Sequence, residues 1–489
     1  MNQSTPRPSL ALSFVPVLFL IALLVINVIL FKDDATGGPN QLALLIAGAF
    51  TIALGAFVLK VPYQHMEDHI VESIRRAIQA CLILLVVGAL IGTWIQSGIV
   101  PTMIYYGLKI IEPTWFLPVA CLSCALVSVS TGSSWSTSGT LGIALIGIGH
   151  TLGIPIGMVA GAVISGAYFG DKMSPLSDTT NLAPAMAGTD LFTHIRHMVY
   201  TSGPAILISL VAFTIIGLFY QGATMESGDV QATLQLMESK FNIGLHLFLA
   251  PLMVLVLVGL RTPAFPALIL GALIGGVFSV LFQAEHLSGG GALTMTQAYM
   301  EVIKVAHSGF HIETGNTLID SLFSRGGMSS MLSTVWLILM AMIFGGTMEA
   351  TGMLDRLAGA ILSMVHGAGS LIGSVLGTCL LMNMTACDQY LAIVVPGRMY
   401  KKAFDDYGLH PKNLSRSLED AGTVTSVLIP WNSGGAYHSS VLGVPTLTYL
   451  PYCFFNILSP LVSLFLASMD WTIERMVVED SQREDGPVA

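Results

Sequence analysis

The sequence contains very little charge. Asp, Glu, Lys and Arg together make up 10% of its 489 residues, whereas ordinary soluble domains carry roughly 25%. Hydrophobic residues account for 53%, and the mean hydropathy is +0.75. Apolar runs such as 10–31 are free of charge and long enough to cross a bilayer. We therefore predict an all-α polytopic membrane protein.

Other features that the sequence lacks exclude several classes of function. The formal net charge of −9 leaves no basic surface for nucleic acid. No G-x-x-x-x-G-K-[ST] phosphate loop occurs, and no polar region is long enough for a soluble nucleotide-hydrolysing domain. The six cysteines lie in or beside apolar segments, which is not the pattern of a disulfide framework. With no Cys/His cluster and no nucleophile beside His and Asp partners, we predict neither an enzyme nor a bound cofactor.

The apolar runs divide the chain into about 11 to 13 membrane segments. The run 10–31 is longer than the roughly 7–15-residue core of a cleaved signal peptide, so we interpret it as a transmembrane helix. The predicted units are an N-terminal transmembrane helix and loop at 1–40, a first transport repeat at 41–220, a linker loop at 221–243, a second transport repeat at 244–470 and an acidic tail at 471–489. A further long loop is predicted at 283–330.

A polar, Pro-broken segment, 166–181, lies between apolar runs. It contains Asp171, Lys172, Pro175 and Asp178. In lipid, the backbone groups freed by a broken helix need partners, so such segments survive where they are buried in protein or line a wet cavity. Charged side chains there indicate an ion or substrate pathway. The Gly-x-x-x-Gly spacing at its start also favours close approach of another helix.

A second unusual segment, 129–139, consists mostly of small and hydroxylated residues after an apolar run. It can bury little apolar surface, so we predict the tip of a re-entrant hairpin there rather than a plain crossing.

The chain also repeats itself. Gly92-Thr-Trp-Ile-Gln-Ser-Gly98 matches Gly346-Thr-Met-Glu-Ala-Thr-Gly352, and further landmarks recur 255 or 256 positions apart, including Pro175 with Pro430. Two copies of one unit with interrupted helices at matching positions are typical of secondary transporters, whose site lies near the bilayer midplane. Spacing alone does not distinguish inverted from parallel copies.

The repeat predicts which residues meet at that site. Asp171 corresponds to Ser426, and Asp178 corresponds to Ser433, so one copy supplies a carboxylate where the other supplies a hydroxyl. Hard cations such as Na⁺ prefer these oxygen ligands. The candidate ion- or substrate-binding residues are Ser133, Ser134, Asp171, Asp178, Thr179, Asn181, Asp388, Asp420 and Asn432, of which Asp178, Asp388 and Asn432 are the predicted Na⁺ ligands.

A buried aspartate can hold either a proton or Na⁺, because burial disfavours its uncompensated charge. Asp178 or Asp388 is therefore a hypothetical shared site for the two ions. Structural roles compete with this interpretation. Asp171 and Lys172 can form a local ion pair, and 177–181 is also a good helix N-cap sequence. Glu419, next to Asp420, follows a basic loop and is expected to be solvated.

These motifs resemble the NhaC family of Na⁺/H⁺ antiporters, part of a wider ion-transporter superfamily. The resemblance rests on 170–180 (Gly-Asp-Lys-Met-Ser-Pro-Leu-Ser-Asp-Thr-Thr), on 428–432 (Leu-Ile-Pro-Trp-Asn), and on 435–437 and 443–445. It implies two inverted repeats, each with a hairpin and an unwound helix, whose tips 130–134 and 385–389 meet at a central site. It also implies a homodimer in membrane lipid.

The function expected from this resemblance is Na⁺/H⁺ exchange across a bacterial cytoplasmic (inner) membrane, with Na⁺ and H⁺ as the transported ions. The alternative is a Na⁺/H⁺-coupled exchanger of small organic anions of the malate/lactate type. A carboxylate substrate needs a cation or helix N-termini beside the site, and Lys172 is the obvious lysine there. Lys and Arg in short loops favour the cytoplasm. We therefore predict that the basic residues at 398–402, together with Lys60, Arg75 and Arg76, lie on the cytoplasmic side of the membrane.

Overall fold

The computed structural model describes residues 8–31, 35, 37–110, 112–219, 227–260, 262–288 and 292–476. The described residues are almost entirely helical, with one antiparallel bridge between Leu409 and Arg475. Parts of the predicted N-terminal unit, linker and tail, namely 1–7, 221–226 and 477–489, lie outside the described residues.

The first half begins with two apolar helices and continues through the first copy of the repeat. Its helices are α1 (Leu10–Phe31), α2 (Pro39–Ala53), α3 (Tyr63–Gln96), α4 (Ile99–Ile110), α5 (Phe116–Thr131), α6 (Ser134–Thr137), α7 (Ile143–Thr151), α8 (Ile156–Met173), α9 (Asp178–Ala187) and α10 (Leu191–Phe219). A π-helical turn, Ser138–Gly142, joins α6 to α7.

The connecting region and the second copy follow. Their helices are α11 (Ser227–Lys240), α12 (Leu249–Gly259), α13 (Ala264–Phe282), α14 (Ala284–Ser288), α15 (Met295–Ser308), α16 (Thr317–Phe323), α17 (Leu332–Ala350), α18 (Met353–Leu362), α19 (Ala368–Thr385), α20 (Leu391–Asp406), α21 (Pro411–Leu418), α22 (Ser433–Leu442), α23 (Thr446–Tyr449) and α24 (Phe454–Ser468). The two regions predicted as loops therefore contain helices, α11 in one and α14 to α16 in the other.

Among the described residues, eight helices are long and apolar enough to cross a membrane, or up to ten if two bent pairs each count as one span. The chain is an integral membrane protein. The hairpins and broken helices account for further segments, because α6, α9 and α22 are each shorter than the roughly 20 residues that a crossing needs.

The repeat predicted from the sequence recurs in the helices. Ile156 and Pro411 begin α8 and α21, and Asp178 and Ser433 begin α9 and α22, in both cases 255 positions apart. The helices also pack reciprocally, since α8 packs on α24 while α21 packs on α10. The two copies are therefore built from matching helices, and the broken helix of each copy packs against the last helix of the other copy.

The corresponding helices α3 and α17 run antiparallel. Near the start of α17, the Gly327 N–H donates to the Gly88 carbonyl at 2.6 Å. Near its end, Arg76 donates to Glu349 at 3.0 Å. Because equivalent helices point in opposite directions, the two copies are inverted, and their hairpins enter from opposite faces. We name the side where α3 starts the near face and the side where α3 ends the far face.

Small residues allow the helices to pack closely around each break. A Cβ atom on Gly166 would lie 1.9 Å from the Cys121 carbonyl oxygen of α5, and one on Gly170 would lie 2.4 Å from the Ala125 carbonyl oxygen. Only glycine fits at these two positions, so the predicted close helix approach is confirmed. It holds α8 against the first hairpin and fixes where the break after α8 lies.

The segment after α24 returns to the start of α21. The His410 N–H donates to the Glu474 carbonyl at 2.9 Å, and the Met476 N–H donates to the Gly408 carbonyl at 2.8 Å. Lys412 forms an ion pair with the Glu474 carboxylate. Residues 470–476 therefore form a strap across the outer end of this broken helix.

Candidate ion-binding site

A cavity of about 440 Å³ lies where the tips and breaks of the two copies meet. Its wall contains the first hairpin tip (132–133), the break between α8 and α9 (175–179), the second hairpin tip (388–390) and Ser433 at the start of α22. All four elements lie at or beside an interruption of the helical backbone. The cavity is thus built where helices are interrupted, as the sequence predicts for this class of protein. We call it the first cavity.

Three carboxylates line the first cavity: Asp171, Asp178 and Asp388. Asp171 and Asp388 are buried, with 8% and 2% of their surface exposed, whereas Asp178 is exposed. The first copy supplies two of the carboxylates and the second copy supplies one. Solvent therefore reaches the cavity beside Asp178, while the other two carboxylates lie deeper.

Asp171 is held by the tip of the first hairpin. Its Oδ2 atom accepts hydrogen bonds from the Ser134 N–H at 3.1 Å and from the Ser134 hydroxyl at 2.6 Å. Hydrogen bonds to a carboxylate stabilise its charged form and fix its direction. One oxygen of Asp171 is therefore occupied by the tip.

The second copy makes the equivalent contact without a carboxylate. Ser426, which corresponds to Asp171, donates to the Gln389 side chain at 3.2 Å, and Gln389 corresponds to Ser134. Each broken helix is thus tied to the hairpin tip of its own copy at matching positions. Only the first copy places a charge in that link.

Asp388 caps a helix as well as lining the cavity. Its Oδ1 atom accepts hydrogen bonds from the N–H groups of Tyr390 and Leu391, both at 3.0 Å. Ser133, the corresponding residue, accepts from the Ser136 N–H at 3.1 Å. Both tips turn by the same N-capping device, because the first N–H groups of a helix have no partner within the helix.

The two breaks are also capped at matching positions. The Ser177 hydroxyl accepts from the Thr180 N–H at 3.4 Å at the start of α9, and the Asn432 side chain accepts from the Gly434 N–H at 3.0 Å at the start of α22. Asn181 donates to the Ser177 carbonyl at 2.7 Å and is exposed. These polar side chains satisfy the backbone groups that each interruption leaves free.

Arg76 places a positive charge in the wall of the first cavity. Its guanidinium donates to Glu349 at 3.0 Å, and His69 lies 3.9 Å from the same carboxylate. Both Arg76 and Glu349 are partly exposed. This ion pair links α3 to α17 and stands beside the three aspartates.

The structure brings only some of the predicted residues together. Five of them line the first cavity: Ser133, Asp171, Asp178, Thr179 and Asp388. Ser134 reaches it through Asp171. Asn181 and Asn432 act in the breaks described above, and Asn432 also donates to Asn383 at 3.0 Å.

Asp420 lies in a separate buried cluster. It forms an ion pair with Lys172 and accepts hydrogen bonds from Thr201 at 2.9 Å and Ser459 at 3.2 Å. Arg416, also fully buried, lies 3.9 Å from it. Lys172 is therefore occupied by Asp420, and it is not paired with Asp171 and is not available to a substrate in the first cavity.

Glu419 differs from the expectation of a solvated side chain. It is fully buried in the π-helical turn Glu419–Thr423. Lys172, Thr179 and Thr423 lie close to its carboxylate. The broken helix carries it inward, away from the basic loop that precedes it in sequence.

The carboxylates share a cavity without meeting at one point. Within the described ranges, no three His, Cys, Asp or Glu side chains are arranged to hold a metal ion. An alkali cation needs less: carboxylate, hydroxyl and carbonyl oxygens that line a wet space. An arrangement of this kind can hold a cation or a proton, and its exposed carboxylate is Asp178.

The candidate residues chosen from the sequence do not include several residues of the cavity wall, among them Arg76, Gln389, Tyr390 and Ser433. The repeat was the signal for two of them, since Gln389 corresponds to Ser134 and Ser433 corresponds to Asp178. Arg76 has no such signal, because it comes from a helix that is polar at its start, where a basic residue indicates only topology.

A model of the Na⁺/H⁺ antiporter family matches residues 166–471. The Na⁺/H⁺ antiporter NhaC of Alkalihalophilus pseudofirmus is 39% identical, over 87% of this chain and 88% of that protein. The malate-2H⁺/Na⁺-lactate antiporter of Bacillus subtilis is 37% identical, over 85% and 86%. The arginine/ornithine antiporter ArcD of Halobacterium salinarum is 36% identical, over 99% and 96%. Because the family model covers more than half of the chain and the similarity to these relatives runs through most of it, this protein belongs to the Na⁺/H⁺ antiporter family.

Proposed function

We propose that this protein exchanges Na⁺ for H⁺ across the cytoplasmic membrane, and that the first cavity is the exchange site. The observation that carries the proposal is the convergence of Asp171, Asp178 and Asp388 on one cavity at the interrupted helices of both copies. Carboxylates in such a place are expected to bind cations. The protein acts as a transporter rather than an enzyme.

Each carboxylate has a distinct role in this proposal. Asp178, which is exposed, receives ions from solvent. Asp171 and Asp388 are buried and already accept hydrogen bonds, so their remaining oxygens are the ligands for Na⁺. A proton neutralises the same groups when Na⁺ leaves, because an unpaired buried charge is unfavourable.

The described conformation opens the first cavity toward the near face. Arg76 and Asp178 are the partly exposed and exposed members of its wall. The basic residues at 398–402 favour the cytoplasm for that face. Transport then requires the cavity to open on the far face in another conformation, and a homodimer is the assembly we expect.

Organic-anion exchange is the second candidate. A cavity of about 440 Å³ is far larger than an alkali ion and lies in the range of small-molecule pockets. Arg76 supplies a guanidinium in its wall, which suits a carboxylate. Two of the relatives named above carry names of organic-ion antiporters, which also supports this candidate.

Purified protein in proteoliposomes with an internal pH dye distinguishes the two candidates. An imposed Na⁺ gradient should move protons in the absence of any organic acid. Proton movement that requires added malate, lactate or arginine would instead support the second candidate and contradict the first.

Three variants test the site itself. Asp171→Asn, Asp178→Asn and Asp388→Asn should each lower Na⁺-driven proton movement, most strongly at the two buried positions. Asp190→Asn is the matched control, because Asp190 caps α10 by accepting from the Thr193 N–H at 2.9 Å and does not line the cavity. Normal exchange by all three cavity variants would remove the first cavity from the mechanism.

A further inference from the structure

A second cavity of about 580 Å³ lies at the far face. The same two helices connect it to the first cavity. On α3, Ile83 lines the first cavity and Ile91 the second, and on α22, Ser433 lines the first and Ser440 the second. Seven helical residues span about 10 Å. The two cavities therefore stand at opposite ends of α22, separated by a thin layer of protein.

The lining of the second cavity is basic. Its charged and titratable side chains are Lys304, His311 and Arg325, and four serine hydroxyls accompany them. Among the described residues, no acidic side chain lines it, although the exposed Glu313 carboxylate lies 3.5 Å from the His311 ring. This contrasts with the three aspartates of the first cavity. A cavity with one sign of charge raises the local concentration of ions of the opposite sign.

Arg325 has no acidic partner in the part of the chain that the structure describes. Its one hydrogen bond there runs from Nη2 to the Val441 carbonyl at 3.2 Å, although a guanidinium has five N–H donors. The other two arginines with comparable or greater burial do have partners, since Arg76 pairs with Glu349 and Arg416 lies beside Asp420. A half-buried guanidinium without a carboxylate is unusual in a membrane protein.

The backbone that carries Arg325 is rigidly placed. The Arg325 carbonyl accepts from the Phe310 N–H at 3.1 Å, and the next residues, Gly326 and Gly327, adopt φ values of +91° and +83°. A Cβ atom on Gly327 would lie 2.2 Å from the Gly309 nitrogen. Two chain segments thus cross in close contact at glycines, and they fix the backbone that carries Arg325 at the cavity wall.

Neutralising a helix C-terminus is a simpler role for such a cation. The structure contains a comparison, because Lys401 lies 3.0 Å from the Cβ position of Gly188 at the end of α9, which corresponds to Gly443 at the end of α22. Lys401 is exposed and lines neither of the two cavities. Arg325 also lies at a helix C-terminus, that of α22, but it lines a cavity together with other bases and hydroxyls. A helix-capping role alone therefore does not explain most of its surroundings.

We propose that the second cavity binds a small carboxylate-bearing anion and that Arg325 holds it. The fork of N–H groups on a guanidinium matches the two oxygens of a carboxylate. The serine hydroxyls and Lys304 supply further donors around it. The bound anion neutralises Arg325 and occupies the far-face approach to α22. This site does not depend on the proposed Na⁺/H⁺ exchange and is separate from the first cavity.

Equilibrium binding to the purified full-length protein in nanodiscs tests the site without any transport. The probes are the potassium salts of lactate and malate, with potassium chloride holding the ionic strength constant. We expect saturable binding of at least one carboxylate. Arg325→Gln should weaken it about tenfold or more, since a hydrogen-bonded charge pair is lost. Lys304→Gln, at an exposed position, should weaken it less.

Lys240→Gln is the matched control, because Lys240 is an exposed base at the end of α11 and does not line the cavity. Unchanged affinity in both lining variants would overturn the proposal, as would the absence of saturable carboxylate binding. Equal competition by chloride would refute the carboxylate specificity. The nanodisc experiment measures binding only. Loss of Na⁺-driven proton movement in liposomes would therefore bear on the proposed function alone.

Discussion

The hydrogen bond from the Ser134 hydroxyl to Asp171 makes the most specific prediction about the first cavity. Ser134→Ala removes that 2.6 Å bond and leaves the weaker contact from the Ser134 N–H at 3.1 Å. Both residues are buried, with 1% and 8% of their surface exposed. The substitution therefore changes the surroundings of Asp171 without removing its carboxylate.

The expected effect follows from the energy of such a bond. A hydrogen bond to a charged group contributes about 1.5–3 kcal/mol, which corresponds to roughly 10- to 150-fold in an equilibrium constant. We expect the Na⁺ concentration for half-maximal exchange to rise by about tenfold, the lower end, because the backbone contact remains. A carboxylate with fewer hydrogen bonds also holds its proton more tightly, so the activity profile should move to higher pH.

The assay is Na⁺-driven proton movement in proteoliposomes, measured over a series of Na⁺ concentrations and pH values. Ser136→Ala is the matched control on the same short helix, because Ser136 is also buried and its hydroxyl has no hydrogen-bond partner among the described residues. Its exchange should remain close to that of the natural protein. If Ser134→Ala and Ser136→Ala behave alike, Asp171 does not bind the ion in the way proposed here.

Three further predictions concern the surrounding structure. Gly166→Ala should lower the thermal unfolding midpoint sharply, because its Cβ would overlap a backbone oxygen at 1.9 Å, whereas Gly377→Ala, with open space around it, should be neutral or slightly stabilising. Lys172→Met should destabilise the protein by about 3–5 kcal/mol, because it leaves Asp420 buried without its closest cation, and adding Asp420→Asn should recover much of that loss in a double-mutant cycle. The pKa of Glu474 is held below its usual range by a hydrogen bond from the lysine at the start of α21, so this contact is present at neutral pH and is lost as pH falls through that lowered pKa. Glu474→Gln should therefore speed amide hydrogen exchange in the strap at neutral pH, and equal exchange in both proteins would contradict this.

The internal repeat allowed the positions of the helix breaks to be predicted from the sequence. The free backbone groups of an irregular segment in lipid need hydrogen-bond partners. Polar residues in an apolar run therefore indicate where each break and tip lies. The 255-residue offset then paired them, and α8 with α21 and α9 with α22 begin at those positions. Inversion was implied only by family resemblance, and the antiparallel packing of α3 and α17 establishes it.

Only part of the candidate site could be predicted from the sequence. Asp171, Asp178 and Asp388 could be identified as intramembrane carboxylates from the sequence, because charge in apolar surroundings is conspicuous. Asp420 carried the same signal and lies in another cluster with Lys172. Sequence distance and residue type do not determine which of several buried charges face one cavity, since that depends on how the two copies cross.

The sequence by itself determined the membrane-spanning helical architecture, the duplication and the places where the helices break, because each of these follows from local composition and chain-length constraints in lipid. The tertiary structure alone decided which charges pair. It joined Arg76 to Glu349, buried Glu419 beside Lys172, and placed Arg325 in a cavity where no carboxylate is among the described lining residues. These outcomes depend on contacts between helices far apart in the chain, where burial removes water and each charge must be satisfied by whichever neighbour the fold supplies.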